Sequence, residues 1–314
     1  MRLVSIATFA LLSWGMAVSA ATPQKTLEDL KTQVREVIKR RQYKWDASVF
    51  SMAGLQVRHF SVQGYPLGYY TCGDAESKNR SLVLSAVHGD EVTPVYFGFR
   101  LVDWLKANPE VCRDKFIVIA PLVNPDGFFR YTRGTRTNWN KVDLNRNFDT
   151  PEWTEKAHHL WKTRFASQRR YFPGDTAASE PETEFQKWLI ATFRPTKIMS
   201  VHAPLNILDY DGPGIENAQA FTRAYVDSCE ALNKAVSSAT TLLKFFPYGA
   251  FPGSLGNYAG QSKGVPTFTV ELPTAKADEA PFYFGDMEKG NRLFFEYELA
   301  PRPDPSIQTS AAPK

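Results

Sequence analysis

Four mainly apolar segments along the chain have the length of buried β-strands. They cover residues 82–87, 116–121, 197–201 and 266–272. Apolar runs of this length are typical of strands that are covered on both faces in a largely parallel sheet. Between residues 55 and 71, shorter runs around Gly64 and Pro66 predict additional short strands.

Longer segments with helical features alternate with these runs. Residues 24–44 carry apolar side chains at helical spacing behind Thr26, a suitable N-cap, and predict an amphipathic helix that packs on the main domain. Further helices are predicted for residues 92–105, 181–193 and 219–239. This alternation predicts an α/β fold: a single domain with a mixed, mostly parallel, twisted sheet of about eight strands and helices on both faces.

The two ends of the chain differ from this pattern. Residues 1–20 combine Arg2, an apolar run and the small residues 18–20, which predicts a secretory signal peptide; a membrane anchor is the alternative, but the run is short and interrupted. The predicted organisation continues with a helical extension at 21–58, the main domain at 59–300 and a disordered tail at 301–314, which is rich in proline and serine.

Composition excludes some functions and leaves others open. Hydrophobic content of 43% and charged content of 22% are ordinary for a soluble globular protein, and a net charge of +4 gives no reason to expect nucleic acid binding. Export permits a disulfide, but the three cysteines, Cys72, Cys112 and Cys229, cannot all pair, so the pairing stays open.

Three residues at predicted strand and helix ends have the chemistry of metal ligands. His88 follows the strand at 82–87, Glu91 begins the next helix, and His202 ends the strand at 197–201. Side chains at the carboxyl ends of parallel strands converge on one crevice. Two imidazoles and one carboxylate can bind zinc and leave a fourth position for water, which is typical of a catalytic site. Alone, the His-x-x-Glu pair is also compatible with a capped helix start.

Alternation in the last predicted strand singles out one carboxylate. Phe268, Val270 and Leu272 share one face of the strand, and Glu271 lies on the other face near the strand end. A charge in a central, buried strand is costly unless it is paired or used. Glu271 is therefore the candidate general base that accepts a proton from the attacking water.

Several short motifs together resemble a known family. They are residues 88–91 (HGDE), 124–127 (NPDG), 143–148 (DLNRNF), 200–202 (SVH) and 268–272 (FTVEL). In this order they are similar to the zinc metallocarboxypeptidases of the carboxypeptidase A type, over roughly residues 60–300. Residues 135–146 and 202–213 look most similar to the bacterial murein peptide amidase branch, whose members cut the γ-D-glutamyl–diaminopimelate bond of peptidoglycan peptides.

The resemblance implies roles for individual residues. It implies one zinc ion per chain, bound by His88, Glu91 and His202, and it implies that Glu271 is the catalytic carboxylate. The remaining matches concern the substrate: Asn145 and Arg146 would hold its terminal carboxylate, Arg136 would polarise the scissile carbonyl, and Tyr248 lies near the position of the family's mobile tyrosine.

Two aspartates follow the last zinc ligand in the chain. Asp209 and Asp211 lie on a stretch expected to border the substrate pocket, and we hypothesise that one of them, Asp209 first, pairs with the side-chain ammonium of diaminopimelate. Asp211 is also explained as a turn former, because Gly212 and Pro213 follow it.

The predicted function is an exported, zinc-dependent metallocarboxypeptidase or amidase that acts on peptidoglycan stem peptides. Its expected location is periplasmic or secreted, in a bacterium, with a peptide substrate, no nucleic acid partner and no membrane span after signal removal. The alternatives are a general metallocarboxypeptidase, a deacylase of small N-acyl amino acids, and a wall-binding module without turnover, which would have no use for Glu271.

Overall fold

A mixed eight-stranded sheet forms the centre of the molecule in the computed structural model, which describes residues 22–213 and 221–302. The predicted signal peptide and nearly all of the predicted tail lie outside the described residues. The strands are β1 (Gln56–Phe60), β2 (Pro66–Gly73), β3 (Arg80–Ser85), β4 (Phe116–Ala120), β5 (Lys197–His202), β6 (Ile207–Asp211), β7 (Lys244–Phe245) and β8 (Thr267–Glu271).

Strand order explains why the sequence signal was strongest for four strands. Across the sheet the order is β1-β2-β4-β3-β5-β8-β6-β7. The four central strands, β4, β3, β5 and β8, are parallel, whereas β1, β2 and β6 pair antiparallel and β7 pairs parallel with β6. The four long apolar runs are these central strands, which are buried on both faces. The predicted fold class is confirmed.

Helices cover both faces of the sheet. Val83 of β3 points into one core, which it shares with two long helices, whereas Leu82 and Leu84 point into a second core on the opposite face. This alternation is the two-residue period of a strand buried on both sides. The helices are α1 (Leu27–Arg40), α2 (Val92–Ala107), α3 (Pro125–Phe129), α4 (Trp153–Thr163), α5 (Pro181–Phe193), α6 (Arg223–Ala239) and α7 (Ala280–Glu296).

Helix α1 packs into the same core as the main domain. Its N-cap is Thr26, as predicted, and the threonine hydroxyl accepts the Asp29 N–H. Leu30 and Val34 are buried in the core that also contains α2 and α7. The predicted domain boundary after residue 58 falls inside β1.

A disulfide joins β2 to the segment that follows α2. Cys72 and Cys112 are bonded, with their Cα atoms 5.8 Å apart, and Cys229 is a buried free thiol within α6. The sequence alone did not show which two of the three cysteines pair, and the structure identifies them as Cys72 and Cys112.

Two segments expected to be loops contain helical turns. Residues 124–127 begin α3, because the Asn124 side chain accepts the Gly127 N–H at 2.8 Å and caps it. In the predicted glycine-rich loop at 249–264, residues Gly256–Gln261 form a π-helical turn. The chain can pass this close to Asp211 because Gly256 and Gly260 have no side chain to collide with it.

Within residues 22–213 and 221–302, every helix is too short or too polar to cross a bilayer.

Candidate active site

The predicted metal ligands lie where β3 and β5 end and α2 begins. His88 follows β3, Glu91 occupies the N-cap position of α2, and His202 is the last residue of β5. Between them, Gly89 packs directly against the main chain at Gly127, where a side chain would not fit. The Asn124 amide donates to the Val87 carbonyl at 3.1 Å and holds the end of the strand.

The three ligand side chains converge on one point. His88 Nδ1 lies 2.7 Å from Glu91 Oε1, and His202 Nδ1 lies 3.0 Å from Glu91 Oε2. The two Nδ1 atoms are 3.1 Å apart, and all three residues are buried. Ligand atoms held at about 2.0–2.2 Å from a zinc ion must lie close to one another in this way.

The outer nitrogens of both imidazoles have acceptors, which supports a metal rather than a hydrogen-bonded cluster. Asp143 Oδ1 lies 3.1 Å from His88 Nε2, and Ser200 Oγ lies 2.9 Å from His202 Nε2. With a proton on each Nε2, both Nδ1 atoms direct lone pairs at the Glu91 carboxylate. Two nitrogen lone pairs and a carboxylate directed at one another favour positive charge between them, and this donor set fits zinc.

Charges around this point are arranged to attract positive charge. Burial opposes ionisation of Glu91, but the two histidines hold its pKa well below the usual range. Burial and Arg136 oppose a charge on His88, yet Glu91 and Asp143 prevail and raise its pKa. Asp143 is likewise kept ionised against burial, because Arg136 and His88 depress its pKa. A divalent ion supplies the charge that these groups favour.

Glu271 stands next to the metal ligands across the sheet. It is the last residue of β8 and pairs in register with His202 of β5. The Leu205 N–H donates weakly to Oε2 at 3.4 Å. Burial raises the pKa of Glu271, which moves this carboxylate toward the range suited to proton transfer near neutral pH.

All nine predicted site residues line one cleft of about 400 Å³. They are His88, Glu91, Arg136, Asn145, Arg146, His202, Asp209, Tyr248 and Glu271. The structure thus brings together residues that are spread over more than half of the sequence. Their individual roles remain predictions.

Arg136 is fixed beside the metal ligands. Its Nε donates to Asp143 Oδ2 at 2.7 Å, and Nη1 lies 3.4 Å from Glu91 Oε1. The ring of Tyr171 covers the guanidinium at 5.2 Å. The arginine is therefore held in a single orientation at the edge of the cleft, with donor capacity to spare.

Asn145 and Arg146 line the cleft and keep donors that no residue in the described ranges engages. The Asn145 amide oxygen accepts the Leu255 N–H at 2.8 Å, and its Nδ2 has no partner among residues 22–213 and 221–302. Arg146 packs on the Phe251 ring at 4.2 Å, and its buried Nε also lacks a partner in these ranges. Burial lowers the pKa of Arg146 to about 10, which still leaves it charged at neutral pH.

Tyr248 and the two aspartates form another wall of the cleft. Tyr248 is half exposed, whereas Asp209 and Asp211 are buried side by side on β6. Asp209 Oδ1 accepts the N–H groups of Tyr210 and Tyr248 at 2.9 and 2.8 Å. The Asp211 carboxylate has no hydrogen-bond partner within the described ranges, and burial, with the neighbouring Asp209, raises its pKa to about 7.

Sequence reasoning missed two residues of this site. Asp143 was part of a recognised motif but received no role, and Ser200 precedes His202 by two residues on the same face of β5. The two-residue strand period could have identified Ser200 as a neighbour of the ligand. Nothing in the local sequence pointed from Asp143 to His88.

Comparisons with known proteins agree with this geometry. The family model described as zinc carboxypeptidase matches residues 51–285. Murein peptide amidase A of Vibrio campbellii is 31% identical over 220 residues, covering 69% of this chain and 79% of that protein. The protein of the same name from Escherichia coli K12 is 31% identical over 226 residues, covering 70% of this chain and 81% of the relative.

Solved structures share the fold. The crystal structure of murein-tripeptide amidase from Escherichia coli O157 is 26% identical, has a TM-score of 0.54, and covers 77% of this chain and 92% of its own. Bovine thrombin-activatable fibrinolysis inhibitor, at 15% identity, has a TM-score of 0.60 with coverage of 88% and 98%. The chain therefore belongs to the zinc carboxypeptidase family, as a peptide-bond hydrolase in which His88, Glu91 and His202 are grouped to hold one zinc ion.

Proposed function

We propose that this protein hydrolyses the γ-D-glutamyl–diaminopimelate bond of peptidoglycan stem peptides, and that it does so outside the cytoplasm. Its relatives named murein peptide amidase support the substrate class. Residues 1–20 support export, because they have the pattern of a signal peptide. An exported enzyme would meet intact wall peptides or fragments released from them.

One observation carries the proposal: unused donors and an unused carboxylate face the same cleft as the metal ligands. Asn145 Nδ2 and Arg146 Nη2 have no partner within the described ranges, and they suit the terminal carboxylate of a peptide, since a guanidinium can bond a carboxylate through parallel contacts. Asp211 lies in the cleft wall without a hydrogen bond within the described ranges, and it suits the side-chain ammonium of diaminopimelate. Such a wall disfavours the aromatic and aliphatic termini of a general carboxypeptidase substrate.

The zinc ion and the surrounding residues have different roles in the reaction. The chemistry that zinc supplies when held by the three ligands is Lewis acidity, which activates water as a nucleophile near neutral pH. Glu271 takes a proton from the attacking water and then gives it to the leaving amine as the carbon–nitrogen bond breaks. Arg136 donates to the carbonyl oxygen as negative charge develops there, an interaction typically worth about 3–4 kcal/mol.

Digestion of defined peptides tests the proposal. The mature protein is incubated with L-Ala-γ-D-Glu-meso-diaminopimelate and, separately, with whole sacculi, with and without chelator, and the products are identified by mass spectrometry. Release of free diaminopimelate that stops with chelator and returns with zinc is the expected result. Faster turnover of hippuryl-phenylalanine or of N-acyl amino acids would contradict the proposed substrate.

A single substitution tests the role of Glu271 as the general base. Glu271→Gln removes the base but keeps the shape, and we expect kcat to fall by roughly 10²–10⁴-fold with zinc content unchanged. Full turnover by a zinc-loaded variant would exclude Glu271 as the base.

Export is tested separately by expressing the full chain with a C-terminal tag and locating the processed form in cell fractions. Unprocessed protein in the cytoplasm would contradict export.

A further inference from the structure

The two aspartates of β6 face the same cleft but have different surroundings. Asp209 and Asp211 are two residues apart on one strand, so their side chains point to the same side of the sheet. Both line the cleft and both are buried. Asp211 has no hydrogen bond within residues 22–213 and 221–302, whereas Asp209 is engaged by main-chain N–H groups.

One of these N–H groups is that of Tyr210 on β6 itself, and the other belongs to the segment that carries Tyr248. After the short strand β7, the Phe246 N–H donates to the Leu208 carbonyl at 3.0 Å and continues the pairing with β6. The Tyr248 N–H then donates to the Asp209 carboxylate at 2.8 Å. Gly249 has a φ of 86°, so the chain turns away from the sheet here.

At this point the acceptor that β6 offers to the neighbouring segment changes from a main-chain carbonyl to the Asp209 side chain. Residues 246–250 have no regular secondary structure. Because the chain leaves the direction of the sheet, the Tyr248 N–H is met by a side chain of β6 instead of a carbonyl. A carboxylate is a strong acceptor for such groups. It fixes the place from which the half-exposed Tyr248 side chain reaches the cleft.

We propose that Asp209 is a positioning residue that anchors the Tyr248 segment to the wall of the cleft, and that it is not the group that binds the substrate ammonium. The inference rests on the proposed function for its choice of substrate. The anchoring itself can be measured without turnover.

Two conservative substitutions separate the two roles because they change opposite properties. Asp209→Asn keeps an oxygen acceptor at the same position but removes the charge, whereas Asp209→Glu keeps the charge but displaces the acceptor by one methylene. If Asp209 anchors the Tyr248 segment, Asp209→Asn should keep its function and Asp209→Glu should lose it. If Asp209 binds the substrate ammonium, Asp209→Asn should lose its function and Asp209→Glu should keep it. Asp211→Asn, two residues away on the same face, is the matched control for loss of charge.

Hydrogen exchange measured on the zinc-loaded mature protein is the direct readout. We expect amide exchange in the peptide that spans 246–250 to be at least ~10-fold faster in Asp209→Glu, because a hydrogen bond to a charged group is lost. The same peptide should exchange within about threefold of wild type in Asp209→Asn and Asp211→Asn, because both keep the acceptor of the Tyr248 N–H. Unchanged exchange in Asp209→Glu would overturn the anchor.

Steady-state kinetics give the second readout. On the diaminopimelate tripeptide, Asp209→Glu should raise KM by roughly tenfold with a smaller change in kcat. In Asp209→Asn, KM should stay within about threefold of the wild-type value. A loss in Asp209→Asn that is confined to substrates bearing an ammonium would assign Asp209 to the substrate instead. If wild type does not cleave the tripeptide, the proposed function fails, while the exchange experiment still decides the anchor.

Discussion

Asp143 Oδ1 lies 3.1 Å from His88 Nε2, on the side of the imidazole that faces away from the other metal ligands. The same carboxylate accepts from Arg136 Nε at 2.7 Å and caps the short helical turn at residues 144–146 by accepting the Asn145 N–H at 3.1 Å. One fully buried side chain thus orients a metal ligand, Arg136 and the turn that carries Asn145 and Arg146.

Replacing Asp143 should weaken zinc binding. In Asp143→Asn the amide oxygen can still accept from Nε2, but the negative charge that favours the bound tautomer is lost. Loss of such a partner typically costs about 10–100-fold in metal affinity. We expect that decrease in zinc affinity, measured by competition with a chromogenic chelator, together with lower kcat/KM at limiting zinc.

The control for this prediction is Asp149→Asn. Asp149 is half exposed and pairs with Lys187 at 3.1 Å, well outside the cleft, so its replacement should leave zinc affinity at the wild-type value. Equal zinc affinity in Asp143→Asn and wild type would show that the carboxylate does not support the metal site.

Arg146 should determine the requirement for a free terminal carboxylate. Arg146→Lys keeps a positive charge but loses the buried Nε donor and the planar geometry needed for two parallel bonds. We expect kcat/KM on the tripeptide to fall by about 10–100-fold, the range for one hydrogen bond to a charged group. A tripeptide with a C-terminal amide should be a poor substrate for wild type and no worse for the variant.

A neighbouring arginine provides the control for Arg146. The guanidinium of Arg164 lies over the same Phe251 ring at 4.8 Å, but the residue is exposed and does not line the cleft. Arg164→Lys should therefore leave the preference for the free carboxylate intact. If Arg146→Lys discriminates between acid and amide as strongly as wild type does, another group holds the carboxylate.

The parts of the site that could be predicted from the sequence are those set by secondary structure. Glu271 was found from strand alternation, and in the structure Phe268 and Val270 are fully buried while Glu271 opens to the cleft. His88 and His202 were found because both lie where an apolar run ends. Position along a strand is a local property, so the local sequence contains it.

The missed features depend on contacts between distant segments. Asp143 lies in an irregular segment without periodicity, and its contact with His88 spans 55 residues. The Cys72–Cys112 pairing depends on where the segment after α2 returns beside β2, which three cysteines in a sequence do not reveal. The helical turn at α3 was missed because Asn-Pro-Asp-Gly is also a strong loop signal.

Removing the disulfide should destabilise the fold. Cys72 and Cys112 are 40 positions apart in the sequence, and a cross-link over this distance reduces the entropy of the unfolded chain by an amount worth about 2–4 kcal/mol. We expect the Cys72→Ser/Cys112→Ser variant to lose free energy of unfolding in this range in urea titrations. Wild type and Cys229→Ala should lose stability when reductant is added, and the double variant should not. Insensitivity of wild type to reductant would contradict the cross-link.

Glu182 should make the stability of the protein fall as pH rises. This side chain of α5 is completely buried, and burial together with the nearby Asp126 raises its pKa to about 8, against about 4.3 in an unfolded chain. Between these values the folded state binds one more proton than the unfolded state, so the stabilisation is complete below the unfolded pKa and is lost as pH increases toward 8. The free energy of unfolding should therefore decrease by up to about 1.4 kcal/mol per pH unit relative to a variant without this acid.

Urea titrations of wild type and Glu182→Gln between pH 5.5 and 8.5 measure this difference, because every other titrating group is common to both proteins. Asn138 Nδ2 donates to the Glu182 carboxyl at 2.9 Å, so the variant will be less stable overall, and only the dependence on pH is diagnostic. Glu184 lies two residues further along α5 and faces solvent, so Glu184→Gln should follow the wild-type curve. Parallel curves for wild type and Glu182→Gln would mean that Glu182 is already ionised in the folded protein and that its burial is compensated by the hydrogen bonds from Asn138 and the Val62 N–H.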